Sequence, residues 1–82
     1  MDWDNKATGR RIRDVRKYLH MTQEQLAEAA GISTAFVGHI ERGTRIPSVC
    51  TLYSVCAALG IRMEYAVAGE KSVSVIENTD IK

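Results

Sequence analysis

Eighty-two residues, 45% hydrophobic and 26% charged with a net charge of +1, make one small domain with a thin core margin. No run of about eighteen apolar residues is present to cross a bilayer, and the opening MDWDNK lacks a basic-then-apolar leader pattern. The expected location is therefore cytoplasmic.

The first six residues are a polar lead-in with one large side chain, Trp3, expected to pack on the first helix, and with Asp4 or Asn5 as that helix's cap. Thr8, Ile12, Val15 and Leu19 recur at helical spacing as its buried stripe. Arg10, Arg11, Arg13, Arg16 and Lys17 occupy the rest of its surface, and His20 falls in an exposed link. The balanced net charge hides an asymmetry. Residues 6–47 hold eight Lys and Arg against four Asp and Glu, whereas residues 61–82 hold three against four. The basic half suits a polyanion, although a solvated helix face explains the same charges.

Residues 23–42, QEQLAEAAGISTAFVGHIER, carry the densest information. Thr22 and Gln25 have capping-box spacing, and Met21 and Leu26 have hydrophobic-staple spacing. Ser33 caps a second short helix, with Ile32 and Val37 as its staple. Gly31 takes the sharp turn between the two helices, where a positive φ is expected. Leu26, Ala30, Ile32, Val37 and Ile40 point inward, and Ala27 is small where the helices cross. Gly43 ends the second helix. Such a pair holds its second helix out as a stiff rod, of a width that fits a DNA major groove.

Gly43 to Pro47 is a loop, and Ser48 caps the next helix. Its apolar stripe is Val49, Leu52, Val55, Cys56 and Leu59, with Gly60 as the stop. The outer positions Cys50, Tyr53 and Ala57 are poor in charge, which marks either a contact surface or scattered surface residues. Cys50 and Cys56 lie on different faces, too far apart to join in a regular helix. The expectation is an exposed thiol at 50 and a buried one at 56. With no Cys-x-x-Cys or His-x-x-x-His spacing, neither a metal site nor a cofactor is expected. Residues 61–76 read two ways. Met63, Tyr65, Ala66 and Val67 suit a short closing helix followed by a loose tail, the preferred reading. The alternation of Ile61, Met63, Tyr65, Val67, Val73 and Val75 suits a small hairpin, completed across a dimer. Residues after Glu77 are expected to be mobile.

The segment from Gly9 to Ile61, with MTQEQLAEAAGIS, then HIERG, then Pro-Ser, resembles the phage repressor and Cro family, the Xre-type transcriptional regulators. The likeness runs from about residue 8 to residue 68. It implies an all-α, compact bundle of about five helices, the lambda repressor-like DNA-binding fold. A helix-turn-helix domain would fill residues 1–70, with residues 71–82 as a mobile or dimer-associated extension. By position, Thr34, Ala35, Gly38 and His39 would face base edges of double-stranded DNA. Thr34 can donate or accept, Ala35 can meet a thymine methyl, and His39 can donate to guanine. Gly38 carries no reading group but allows close approach. Thr22, Gln23, Phe36, Arg42, Thr44 and Arg45 would meet phosphates, with Phe36 either on the sugar-phosphate backbone or covering the core rim. The N-terminal amides of the helix at Gln23 would favour an anion. Arg10, Arg11 and Arg13 are weaker phosphate candidates. Arg16 and Glu41 correspond to the family's internal ion pair. Few polar readers leave room for shape readout.

The resemblance implies a non-enzymatic regulator, a repressor acting as a homodimer on an operator. No second domain, and so no built-in ligand sensor, is expected. Two other readings stand beside it. An antitoxin would keep the DNA surface and hold a toxin through the fourth helix or the tail. A protein-interaction module would have kept the fold and lost DNA binding, as Ala35 and Gly38 suggest.

Overall fold

The computed structural model describes residues 4–69, which form five helices with no strand among the described residues. They are α1 (Asn5–Tyr18), α2 (Gln23–Ala30), α3 (Thr34–Arg42), α4 (Val49–Leu59) and α5 (Met63–Ala68). α1 packs on α3 and α5, and α2 packs on α3 and α4. One core joins them: Ile12, Leu26, Ala27, Val37, Ile40, Leu52, Val55, Cys56, Leu59 and Ala66. Ile12, Leu26, Leu52 and Ala66 are fully excluded from solvent. Burial of this kind, not the short helices' own propensity, is what holds elements of eight or nine residues in shape.

The helix ends follow from their caps. Asp4 accepts from the Lys6 and Ala7 amides. Ser48 accepts from Thr51 at 3.1 Å. In α5 the sequence's ambiguity resolves to the closing helix, because Ala66 at helical spacing from Met63 reaches the core. The first strand of the alternative hairpin is thereby excluded. Trp3, Val73, Val75 and the extension at 71–82 lie outside the described residues.

Two stripes differ from expectation. On α1 the buried line runs Thr8, Gly9, Ile12, Arg16, and Leu19 is 43% exposed. The helix stops at Tyr18, so Leu19 leaves it as the C-cap instead of continuing the stripe. Val49 is 66% exposed, because it opens α4 on the turn before the stripe begins at Leu52. Gly9 explains why α1 sits so near α3. A Cβ built there would lie 2.2 Å from the Ile40 carbonyl oxygen and 2.7 Å from that of Glu41. Any larger residue would hold the helices apart. Thr8, beside it, is buried with its hydroxyl unpartnered.

Arg11 is also placed differently from a phosphate candidate. Its Nη1 donates to the Ala66 carbonyl at 2.9 Å, tying α1 to the C-terminal turn of α5. A guanidinium on the last carbonyls of a helix satisfies groups that have no intrahelical partner. Arg11 is therefore a brace for the closing helix.

Candidate nucleic-acid interface

The α2–turn–α3 unit is assembled from local hydrogen bonds. Thr22 Oγ1 accepts from the Gln25 amide at 3.0 Å, and Gln25 Oε1 accepts from the Thr22 amide at 2.8 Å. This is the complete capping box. Gly31 turns the chain at φ 76°, in the left-handed region that a Cβ disfavours. Ser33 Oγ then accepts from the Phe36 amide at 3.1 Å and starts α3.

A buried polar knot fixes α3 against the other two helices. Arg16 of α1 donates from Nε to Glu41 Oε2 at 2.6 Å and from Nη2 to Oε1 at 3.1 Å. Its Nη1 donates to the Met21 carbonyl at 2.7 Å. Gln23 Nε2 donates to Glu41 Oε1 at 3.0 Å. The side chains of Arg16 and Glu41 are only 9% and 2% exposed, so the pair is desolvated and needs every one of these bonds. Arg16 and Glu41 thus form the internal ion pair that the resemblance implies. Gln23 Nε2 commits one of its two amide protons to Glu41 and keeps the other for a further acceptor. Beside it stand the backbone amides of Gln23 and Glu24, ahead of the first intrahelical bond at Leu26. Beside them a cleft of ≈ 300 Å³ is lined by Arg13, Gln23, Glu41 and Arg42.

The outer face of α3 sorts the remaining candidates. Thr34 and Ala35 are exposed, and His39 is half-buried. Gly38 is buried, contrary to an open contact position: a Cβ there would meet Arg42 Nη1 at 2.9 Å. The Arg42 guanidinium therefore lies back along α3 in the space a side chain at 38 would take. Phe36 is half-buried against the core rim, and the Arg45 guanidinium stands 5.6 Å from its ring centroid. Phe36 thus covers the core rim with one side of its ring and supports Arg45 with the other exposed part. Thr44 follows Gly43, whose φ of 75° folds the chain back over the last turn of α3. Its hydroxyl reaches His39 Nδ1 at 2.9 Å and the His39 carbonyl at 3.3 Å.

Three features in and behind this face go beyond the sequence reading. Arg13, a weaker candidate by sequence, shares the cleft with Gln23 and Arg42. Gly9 sets the α1–α3 distance, and Thr44 is bonded to His39. Only the last has a readable signal: a glycine at the helix stop returns the next residue to the turn behind it. Away from this face, Cys50, Tyr53 and Ala57 are exposed along α4, with Tyr53 at 63%. Cys50 and Cys56 are free, the first exposed and the second buried. Burial pushes the Cys56 thiol up from 9.0 to about 11.

Known proteins share this geometry. The Helix-turn-helix family pattern HTH_3 matches residues 12–65. The immunity repressor protein of Bacillus phage phi105 is 43% identical over 65 residues, which is 79% of this chain. The chain spans 44% of that repressor's length. Among solved structures, the restriction-modification controller protein C.AhdI from Aeromonas hydrophila superposes with a TM-score of 0.74 at 32% identity, covering 77% of this chain and 96% of that one. The P22 c2 repressor, solved with a synthetic operator, gives a TM-score of 0.74 at 30% identity, again over 77% of this chain and 96% of that one. With its capped α2, its glycine turn and its outward α3 carried on the fold those repressors share, the chain belongs to the helix-turn-helix family of Xre/Cro/C1-type DNA-binding transcriptional regulators.

Proposed function

We propose that this protein binds a specific operator in double-stranded DNA as a homodimer and represses transcription by occupying it. The observation that carries the reading is an α3 face with Thr34 and Ala35 exposed and His39 half-buried, flanked by cations. Arg13 and Arg42 share the cleft beside the α2 amides, and Arg45 lies by Phe36 past the end of α3. Guanidiniums along a rod and open amides at a neighbouring helix N-terminus are what two phosphate ridges would meet. The rod itself then rests between the ridges.

The exposed apolar side chains on α4, Val49 and Tyr53 with Cys50 and Ala57, supply a surface for a second copy. Two copies would present their α3 helices about 34 Å apart, one turn of DNA. The repressor reading draws on the phage immunity repressor among the relatives. A toxin-binding antitoxin would use the same α4 face for a different partner.

In-vitro selection from a random duplex pool, followed by a gel-shift salt series, tests this reading. The expected result is an enriched inverted repeat, with affinity that falls as salt rises. Replacing both Arg42 and Arg45 by alanine should reduce the salt slope by about 2, one for each phosphate no longer neutralised. A pool that stays random at about 0.15 M salt would refute sequence-specific binding.

A further inference from the structure

The groove of Tyr18, Leu19, Leu59, Ile61, Tyr65 and Arg62 is mostly apolar, but no feature of the structure shows what covers it. The pair formed by His39 and Thr44 carries more, because it decides what chemistry the reading helix presents.

Resting on the operator reading above, we propose that Thr44 fixes the His39 tautomer so that Nε2 offers a lone pair, making His39 a reader of base amino groups. His39 would then select adenine or cytosine, and not guanine or thymine, at the base it faces.

Donors and acceptors must balance at this pair. The Thr44 hydroxyl has one proton and two neighbours, the His39 carbonyl at 3.3 Å and His39 Nδ1 at 2.9 Å. If the hydroxyl donates to the carbonyl, it accepts from a protonated Nδ1, and both bonds form. If instead it donates to Nδ1, the carbonyl bond is given up. A neutral ring carries one N–H, so the arrangement with two bonds puts the proton on Nδ1. Nε2 is then an acceptor. The backbone sets the position of the pair: the Thr44 amide donates to the same carbonyl at 3.0 Å, which holds the Thr44 Cα beside the last turn of α3 and within reach of the His39 ring.

In the major groove the exocyclic amino groups of adenine and cytosine are donors. Guanine N7 and O6 and thymine O4 are acceptors. An Nε2 lone pair attracts the first two and repels the others. A free histidine in the opposite tautomer would do the reverse, and this reverses the guanine contact expected of His39 from its sequence alone. Thr44 acts here as a positioning residue, and its hydroxyl sets the preference at a base that it does not itself read.

The test has two arms. The first is a long-range proton–nitrogen NMR spectrum of the DNA-free protein at about pH 8, where an ordinary histidine is neutral. The proposal expects His39 protonated at Nδ1, shifting to Nε2 in Thr44→Val. A wild-type ring protonated at Nε2 overturns it. The second arm is operator selection at the same pH with wild type, His39→Ala and Thr44→Val. The half-site position whose preference His39→Ala abolishes is the one His39 reads. At that position wild type should favour adenine or cytosine about fivefold, the worth of one net hydrogen bond. Thr44→Val should lose that preference there while keeping it elsewhere in the half-site. Guanine or thymine at that position, or no position relaxed by His39→Ala, overturns the proposal while leaving an enriched operator intact. A pool with no enrichment removes the operator reading itself, and the base preference falls with it whatever the NMR arm reports.

Discussion

Replacing Gly9 by alanine separates two physical effects of opposite sign. Gly9 lies inside α1, where intrinsic propensity alone would make alanine stabilising by about 1 kcal/mol. The packing dictates the reverse. The new Cβ would sit 2.2 Å from the Ile40 carbonyl oxygen, 2.7 Å from that of Glu41 and 2.9 Å from the Glu41 carbonyl carbon. All three are backbone atoms of α3, so no rotamer change relieves the clash. Restoring ordinary van der Waals separation requires α1 and α3 to part by about 1 Å. Overpacking of a tight core costs roughly 1–3 kcal/mol, more when backbone must move. The same seam carries the 2.6 Å Arg16–Glu41 bond, which lengthens with it.

Taking the upper end and subtracting the propensity gain leaves a net loss of about 2 kcal/mol or more. Urea unfolding followed by far-ultraviolet circular dichroism measures it. Two other glycines calibrate the scale. Gly31→Ala meets nothing within 4 Å and suffers only its positive φ, about 1–2 kcal/mol. Gly38→Ala meets the end of the flexible Arg42 side chain, which can yield, so stability should hold or rise by up to about 1 kcal/mol. The expected order of stability is Gly38→Ala, then Gly31→Ala, then Gly9→Ala. A Gly9→Ala protein as stable as wild type would refute the reasoning.

Glu41→Ala strands the Arg16 guanidinium in a site where only 9% of that side chain meets solvent, a loss of about 3–5 kcal/mol in denaturant titration. The double change Arg16→Met with Glu41→Leu should recover most of it, and a double variant as weak as the single would refute the account. Thr8→Val removes a buried hydroxyl with no partner, at nearly constant shape, and should raise stability by about 1 kcal/mol in thermal unfolding; a lower midpoint would show that the hydroxyl is satisfied. Cys50 should react with a disulfide reagent at once, and Cys56 only as fast as the protein unfolds. The folded Cys56 thiol is raised from 9.0 to about 11, so the unfolded thiol ionises first. Its contribution to stability is therefore complete below pH 9.0 and is lost as pH climbs towards about 11. Cys56→Ala should lack that extra alkaline slope, and equal slopes would show that Cys56 ionises alike in both states.

The features legible in the sequence are those decided within a few residues of one another. The Thr22–Gln25 box, the Ser33 cap and the turn at Gly31 depend on chain geometry over one helical turn, so their residue types name them. The core of α2 and α3 follows from spacing for the same reason. Leu19 and Val49 depart from their stripes because periodicity says which positions share a face, but not where the helix begins or stops. Gly9 and Arg11 escape for a different cause. What each touches, the α3 backbone and the Ala66 carbonyl, lies far along the chain, and no local pattern encodes that meeting. For the base-facing candidates the sequence proposes positions, and side-chain placement decides what each could offer. Whether Gly38 is open depends on where the Arg42 side chain lies, and what His39 offers depends on Thr44.

The knot of Arg16, Glu41 and Gln23 brings stability and recognition to one place. A buried ion pair is weak evidence for stability, because desolvation consumes much of its attraction. Its directional bonds, however, can hold an orientation that apolar contacts alone would let slide. Here it joins α1, α2 and α3 through a single carboxylate that accepts from Arg16 and from Gln23. That carboxylate belongs to α3, and Gln23 is the first residue of α2. The bond between them therefore fixes the distance from the α2 amides to the α3 face, which under the proposed operator binding is the span a phosphate and its neighbouring base edge would match. Glu41→Gln keeps the shape and removes the charge, but its NH2 must face an Arg16 or Gln23 donor, so at most two of the three hydrogen bonds survive and stability should fall, as it does in Glu41→Ala. It should still weaken specific binding more than non-specific binding, since the non-specific term depends on charge near the phosphates and not on that fixed span. Equal losses in the two, measured by gel shift on operator and on random duplex, would show that the knot serves the fold alone.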